Sequence, residues 1–180
     1  LLSIRAGGFL NELMGSLNEY FSDELNSAKH HLGQNKVATL IQQFTSDSKL
    51  MKSHHDEIID IHSSENKYNE KVQGYYSLRC LPQIIGPILD TLDFANKIIE
   101  QEFNSVSDNP IIDAEKKRVY HGGNFHGDYI SLENDKLKIA ITKLSLLLDR
   151  QLNYLLNDHL NEKLPPFLNK GILGLNFGMQ

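Results

Sequence analysis

Cysteine is almost missing from this chain, since Cys80 is the only one in 180 residues. A single thiol has no partner within the chain, so an internal disulfide framework is excluded. Such frameworks are typical of oxidising compartments, whereas isolated thiols are typical of reducing ones. We therefore predict a cytoplasmic protein. Catalysis by Cys80 with His121 or His126 as base is the less favoured interpretation, because an unpaired cysteine among apolar residues is usually buried and inert.

Long apolar runs and basic clusters are missing as well. No segment approaches the roughly 20 apolar residues that a membrane span requires, so we expect no membrane partner. The formal net charge is −5, and the most basic stretch is the short KKR at residues 116–118. Nucleic-acid binding depends on a broad basic surface, so we expect no nucleic-acid partner either.

The histidines include two adjacent pairs, at residues 30–31 and 54–55. Adjacent side chains on a helix point in different directions, and no further residue supplies a third ligand at metal-site spacing. The sequence therefore predicts no bound metal.

The sequence begins without an initiator methionine and ends at GLNFGMQ without a polar tail. Its opening, LLSIRAGGFL, already leads into apolar residues at helical spacing. We expect residues 1–180 to form part of a single helical core domain of a longer protein.

Helical periodicity dominates the first part of the chain. Residues 3–30 are predicted to be helical, with an interruption where Ser22 or Asp23 caps a second helix. Gly33 is predicted to mark a turn. A further amphipathic helix follows it and ends near residues 45–47, because its apolar residues recur at i, i+3, i+4 and i+7.

The middle of the chain combines a polar segment with a buried helix. Residues 47–70 are rich in Ser, His, Asp, Glu and Asn without sustained periodicity, so we predict a surface loop. Apolar residues between positions 84 and 99 then predict a helix that ends near Glu102 and is buried over more than half its circumference. Pro82 and Pro87 are expected in its first turns, or to bend it.

The remaining segments complete the prediction of the fold. Residues 110–121 are predicted to form a small β-hairpin, with IID and RVY as strands around the charged tip AEKK. Residues 129–160 contain neither proline nor glycine, and their apolar pattern predicts a helix on the order of 48 Å long that ends at LPPFL. The predicted fold is therefore all-α: an elongated helical bundle with long central helices and one small β-hairpin.

Two segments contain residues that their local structure does not explain. Arg79 directly precedes the apolar helix, and a guanidinium near a core needs acceptors, so an anionic group should meet it. HGGNFHG, at residues 121–127, has three glycines in seven positions. These glycines indicate either a tight turn or a loop pressed against a ligand, and the sequence alone leaves both open.

Four motifs occur in series: VQGYYSLRCLPQIIG, EFNSVSDNP, YHGGNFHGDYISLE and LPPFL. In this order and at these separations they resemble the aromatic amino acid ammonia-lyase family, which includes histidine, phenylalanine and tyrosine ammonia-lyases. The resemblance covers nearly the whole chain and is far more specific than a single glycine pattern. The YY before SLR, the HGGNFHGDYISLE segment and the NFGMQ ending are most similar to bacterial tyrosine ammonia-lyases.

The resemblance implies an enzyme that removes ammonia from an aromatic L-amino acid and leaves a trans-arylacrylate. Tyrosine, giving coumarate, is the expected substrate, and histidine, giving urocanate, is the next. The family's electrophile is 4-methylidene-imidazol-5-one (MIO), which forms from an Ala-Ser-Gly triplet. In the family, that triplet and the tyrosine taken to be the general base both lie upstream of the matched region. No Ala-Ser-Gly occurs in these 180 residues, so this segment alone is expected to be inactive.

The resemblance also assigns roles to individual residues. Arg79, in YSLR, matches the catalytic arginine that pairs with the substrate carboxylate, and Tyr76 matches the catalytic tyrosine beside the cofactor and the departing amine. Asn109, in DNP, matches an asparagine that assists at the carboxylate. Phe125, in GGNF, matches the phenylalanine near the MIO ring and the substrate, and Gln73 matches a residue that supports the site.

One departure from the family and three alternatives accompany this interpretation. Many members read QDPYSLR, whereas residues 73–76 here are Gln-Gly-Tyr-Tyr, a change expected to loosen the turn before Tyr76. The resemblance implies a homotetramer whose sites take residues from more than one subunit. The alternatives are an aminomutase that returns ammonia to the β-carbon, a histidine-specific lyase, and a non-catalytic helical assembly module.

Overall fold

The computed structural model describes residues 1–53, 73–169, 171 and 178–179, and every structural statement below concerns these residues. Most of them are helical. The helices are α1 (Leu2–Met14), α2 (Asp23–Ser27), α3 (Leu32–Thr45), α4 (Tyr76–Arg79), α5 (Leu81–Phe103), α6 (Asp128–Leu156) and α7 (Asp158–Asn161). Short 3-10 turns occupy Asn18–Phe21 and Pro166–Leu168, and strands β1 (Ile111–Asp113) and β2 (Arg118–Tyr120) pair in antiparallel fashion. The predicted all-α fold with one small hairpin is confirmed.

Helix α5 is the centre of the packing, with α3 on one side and α6 on the other. The main core is built by α1, α3, α5, α6 and the first 3-10 turn, and consists of Ile4, Phe21, Val37, Ile41, Leu81, Ile85 and Leu147. Burying a side chain of this kind stabilises a fold by roughly 1.5–3 kcal/mol. A second cluster contains Leu10, Met14 and Leu78, and it fixes α4 between α1 and α6.

The first helical region is divided differently from the prediction. Helix α1 ends at Gly15, whose φ of 63° stops the helix before the predicted interruption. Ser22 caps α2 as predicted, because its Oγ accepts a hydrogen bond from the Leu25 N–H at 3.3 Å. The predicted turn at Gly33 is wrong. Gly33 lies within the first turn of α3, where it packs against Gly86 of α5.

The two long helices lie close to their predicted positions. Helix α5 has Pro82 at its second residue and continues through Pro87, although a proline ring has no N–H to donate to the helix. Helix α6 has 29 residues, about 44 Å at 1.5 Å per residue, and ends before LPPFL. It stops there because Asn157 is extended and its side chain accepts the His159 N–H at 3.0 Å, which starts α7.

The hairpin pairs Ile111 with Tyr120 and Asp113 with Arg118. Of the loop predicted at residues 47–70, only the start lies among the described residues. There the backbone of Lys52 forms a parallel bridge with Leu17. Residues 54–70 lie outside the described residues, so the extent of that loop stays a prediction, as does the membership of a larger helical domain.

Apolar side chains remain exposed along much of α5 and α6. In the isolated chain those of α6 that are more than two-fifths exposed are Tyr129, Leu132, Ile139, Ile141, Leu146, Leu148 and Leu152. Helices apolar over most of their circumference need to be covered by other protein. None of the helices described is both long enough and apolar enough to cross a membrane.

Candidate active site

Helix α4 is a single turn that carries Tyr76 and Arg79. Tyr75 precedes it in an extended conformation, and its carbonyl accepts the Leu78 and Arg79 N–H groups at 3.0 Å each. Cys80 leaves helical geometry and separates α4 from α5. The interior residues Ser77 and Leu78 are buried, Tyr76 is 69% exposed and Arg79 is partly buried, so the turn presents Tyr76 outward from a fixed base.

Buried carboxamides from two other helices bind the backbone of this turn. Gln151 of α6 donates from Nε2 to the Ser77 carbonyl at 3.1 Å, and Asn11 of α1 donates from Nδ2 to the Leu78 carbonyl at 3.4 Å. Asn11 also donates to the Gly7 carbonyl at 2.9 Å. The end of a short helix leaves carbonyl groups without intrahelical partners, and these amides supply them.

The segment before α4 is held on both sides, contrary to the expected loosening of this turn. The Gly74 N–H donates to the Tyr20 hydroxyl at 2.8 Å, and a Cβ at position 74 would lie 2.8 Å from the same oxygen. The Tyr75 ring stacks on Tyr154 of α6, with centroids 5.0 Å apart and planes at 25°. The residues that replace Asp-Pro here therefore have their own supporting contacts.

Arg79 has a buried, unpartnered hydrogen-bond donor. Its Nε has no hydrogen-bond partner, and no carboxylate among the described residues lies within ion-pair distance of its guanidinium. The guanidinium carbon lies 4.7 Å from the centroid of the Tyr76 ring. An unmet buried donor costs about 1–3 kcal/mol, and more where it is charged, so an anionic acceptor would be favoured at this position.

A second group of predicted residues lies around the hairpin. The Asn109 side chain accepts the Gly122 N–H on its Oδ1 at 2.7 Å, which ties the DNP segment to the glycine-rich loop. Asn109 is followed by a cis peptide bond to Pro110. Phe125, in the same loop, is 62% exposed. Asn109 and the Phe125 loop are thus brought together by the hairpin.

The glycines of this loop are not required by the chain's own packing. The loop does turn, since the His126 N–H donates to the Gly123 carbonyl at 2.9 Å. However, apart from the adjacent residues, no heavy atom of the described residues lies within 4 Å of a Cβ built at Gly122, Gly123 or Gly127. None of the three is among the glycines with positive φ. Of the two interpretations of HGGNFHG, these observations favour the loop pressed against a ligand, because nothing in the described part of the chain occupies the space beside the glycines.

The predicted site residues form two groups rather than one. Within the described ranges, no hydrogen bond, ion pair or ring contact joins Tyr76 or Arg79 to Asn109 or Phe125. Gln73 is exposed, next to the held Gly74. No set of three potential metal ligands occurs in the part of the chain that is described.

Sequence reasoning missed Gln151 and Asn11. The available signal was a polar residue on a buried helix face: Ala140, Leu147 and Gln151 follow the helical period and are all buried. Asn11 lies beside the buried Leu10 in the same way. A glutamine in an apolar stripe is a specific clue, because buried carboxamides need hydrogen-bond partners.

A family profile described as aromatic amino acid lyase matches residues 2–180. The chain belongs to the aromatic amino acid lyase family. It is 39% identical to a tyrosine 2,3-aminomutase of Myxococcus sp. (strain Mx-B0), over 99% of this chain and 35% of that protein. A tyrosine ammonia-lyase of Cupriavidus metallidurans is 34% identical over 94% of the chain and 32% of its own length. The chain thus spans about a third of the length of these curated relatives.

The fold comparison agrees with the sequence comparison. The solved structure of Pantoea agglomerans phenylalanine aminomutase superimposes with a TM-score of 0.90 at 33% identity, covering 98% of this chain and 35% of that one. The expected family is therefore confirmed. These relatives include aminomutases as well as ammonia-lyases.

Proposed function

We propose that the full-length protein eliminates ammonia from an aromatic L-amino acid, tyrosine in preference to histidine, and leaves a trans-arylacrylate. The observation that carries this proposal is the buried, unpartnered Nε of Arg79, on a turn held by α1 and α6. A cytoplasmic location is proposed with it, on the basis of the lone Cys80.

Arg79 is proposed to bind the substrate carboxylate. A planar guanidinium binds a planar carboxylate through two parallel hydrogen bonds, which fixes orientation as well as position. The Tyr76 ring lies 4.7 Å from the guanidinium carbon. The Tyr76 hydroxyl can donate a hydrogen bond to the departing amine or accept one from it. Holding the acid end in this way directs the β-carbon toward the base, a positional contribution of up to several kcal/mol.

Asn109 and Phe125 are proposed to complete a site with residues of another subunit. The absence of any described contact between the two groups within one chain fits a homotetramer whose sites are shared. The exposed apolar faces of α5 and α6 fit the same assembly, because they need to be covered. Gln73 is proposed to support the Tyr76 side of the site.

The cofactor proposed for this site is MIO, an electrophile that would make the amine a better leaving group or withdraw electrons through the aromatic ring. No Ala-Ser-Gly triplet exists in the 180 residues, so the group would come from sequence outside them. The exposed rings of Tyr76 and Phe125 suit a planar group, and the loop glycines leave space for its approach. We propose that these residues face the cofactor and that the segment alone is inactive.

A second candidate is a tyrosine aminomutase. It is favoured over a tyrosine ammonia-lyase by one observation: a tyrosine 2,3-aminomutase matches 99% of the chain at 39% identity, whereas the tyrosine ammonia-lyase matches 94% at 34%. Both activities begin with the same elimination, so the roles of Arg79 and Tyr76 are unchanged. They differ in whether the ammonia leaves the site or adds to the β-carbon.

The test is to incubate the full-length protein separately with tyrosine, histidine and phenylalanine. We expect arylacrylate absorbance to rise fastest with tyrosine, with one free ammonia per arylacrylate. Accumulation of a β-amino acid in place of free ammonia would favour the aminomutase. No product from any of the three would contradict the proposed function and favour a non-catalytic assembly module.

A further inference from the structure

The two carbonyl groups that precede Arg79 are bound by buried polar side chains of two other helices. Gln151 is 5% exposed and Asn11 is fully buried. They approach α4 from different helices and bind consecutive carbonyls, those of Ser77 and Leu78. Two independent donors on adjacent peptide units restrict both the position and the rotation of the turn.

The position of the Arg79 guanidinium depends on that backbone. No described side chain accepts a hydrogen bond from its buried Nε, and its guanidinium lies against the ring of Tyr76, which belongs to the same turn. Any displacement of α4 therefore moves Arg79 and Tyr76 together, because both side chains extend from the same turn. Small misplacements of this kind are costly, since about 1 Å can reduce a rate by roughly 100-fold.

We propose that Gln151 and Asn11 are positioning residues for the carboxylate-binding Arg79, acting through the backbone of α4. This inference rests on the proposed function. The same face of α6 also supplies Tyr154, three residues after Gln151, which stacks on Tyr75 at the start of the turn. One turn of α6 thus supports the residue before α4 and the carbonyl of its second residue, while α1 binds the carbonyl that follows.

The test is a double-mutant cycle in the full-length enzyme with Gln151→Met and Arg79→Ala. Methionine keeps the length of the side chain and removes the donor. If Gln151 acts through Arg79, the two effects are coupled rather than additive. We expect Gln151→Met to lower kcat/KM at least tenfold, mainly by raising KM, and to lower it less than threefold in the Arg79→Ala background.

Gln34→Met is the matched control, because Gln34 is equally buried and donates to the Asn26 Oδ1 at 3.1 Å, away from α4. It should change kcat/KM less than threefold in either background. The dissociation constant of an arylpropionate, which has the carboxylate but no amine, should rise with Gln151→Met and not with Gln34→Met.

Equal tenfold losses from Gln151→Met in both backgrounds would overturn the inference, as would a loss from Gln34→Met of the same size. If Gln151→Met does not assemble, Tyr75→Ala replaces it in the same cycle. Tyr75→Ala removes the stack on Tyr154, and the same coupling with Arg79→Ala is expected.

The proposed function and the positioning role are contradicted by different results. An inactive wild-type enzyme contradicts the proposed function, whereas an active one sensitive to Arg79→Ala but indifferent to Gln151→Met contradicts only the positioning role.

Discussion

The guanidinium carbon of Arg79 lies 4.7 Å from the centre of the Tyr76 ring, three residues earlier in the same helical turn. The Nε of this arginine is buried, and no described residue accepts a hydrogen bond from it. A cation held against an aromatic face and left without an anion is arranged to receive one.

Replacing Arg79 should therefore affect substrate use rather than folding. We expect Arg79→Ala to lower kcat/KM at least tenfold, equivalent to about 1.4 kcal/mol, because the carboxylate loses its partner. The kcat/KM of Arg79→Lys should lie between those of the wild type and Arg79→Ala, since an ammonium keeps the positive charge but cannot form the paired hydrogen bonds. Steady-state kinetics measures the effect, and a near-normal kcat/KM for Arg79→Ala would remove this residue from the site.

Tyr76→Phe isolates the hydroxyl from the ring. The ring that supports Arg79 stays, so carboxylate binding should be largely kept while proton handling at the amine is lost. We expect kcat to fall by a larger factor than KM rises. Tyr75→Phe is the control, because the stack on Tyr154 needs only the ring, and it should leave both constants near the wild-type values. An unaltered kcat for Tyr76→Phe would assign that residue a structural role.

The contact between Gly33 and Gly86 predicts a stability effect without any change at the site. A Cβ at position 33 would lie 2.3 Å from the Gly86 carbonyl oxygen, so Gly33→Ala forces α3 and α5 apart. Such overpacking typically costs about 1–3 kcal/mol in the free energy of unfolding. Gly8→Ala is the control, since an added Cβ there would meet no atom closer than 3.8 Å. Equal denaturant midpoints for Gly33→Ala and wild type would contradict this packing.

Phe125→Ala tests the glycine-rich loop. The ring is 62% exposed within the chain, so its removal should cost little in the chain's own packing, while a ring that faces cofactor and substrate should matter for turnover. We expect at least a tenfold loss of kcat/KM in the full-length enzyme. Ile112→Ala, at 73% exposure on the neighbouring strand, should lose less than threefold. Comparable losses in both variants would indicate a general effect of the hairpin.

The fold was predictable wherever a single helix carried its own signal. The apolar stripes of α5 and α6 identify both helices, and the turn residues around the hairpin identify its strands. Gly33 was misassigned because glycine is required there by a contact with Gly86, more than fifty residues away. In the sequence, a glycine required by helix packing looks the same as a turn glycine. Periodicity reports which face is buried and not which helix covers it.

For the candidate site, the sequence indicated residues by their chemistry, and their roles stay predictions. Arg79 was recognisable because a charged side chain ahead of an apolar helix needs an acceptor. The amides of Gln151 and Asn11 were not, since their partners are backbone carbonyls that come close only when α1, α4 and α6 are packed. A motif identifies the reactive residues, whereas the contacts that position them form only in the tertiary structure.

A crystal structure of the full-length enzyme with a bound arylpropionate tests the central claim most directly. We predict that the Arg79 guanidinium donates to both carboxylate oxygens, at about 2.7–2.9 Å, while Tyr76 keeps its place against the guanidinium face. An Arg79 side chain that points into solvent, or that is paired with a carboxylate of the protein away from the ligand, would contradict the account.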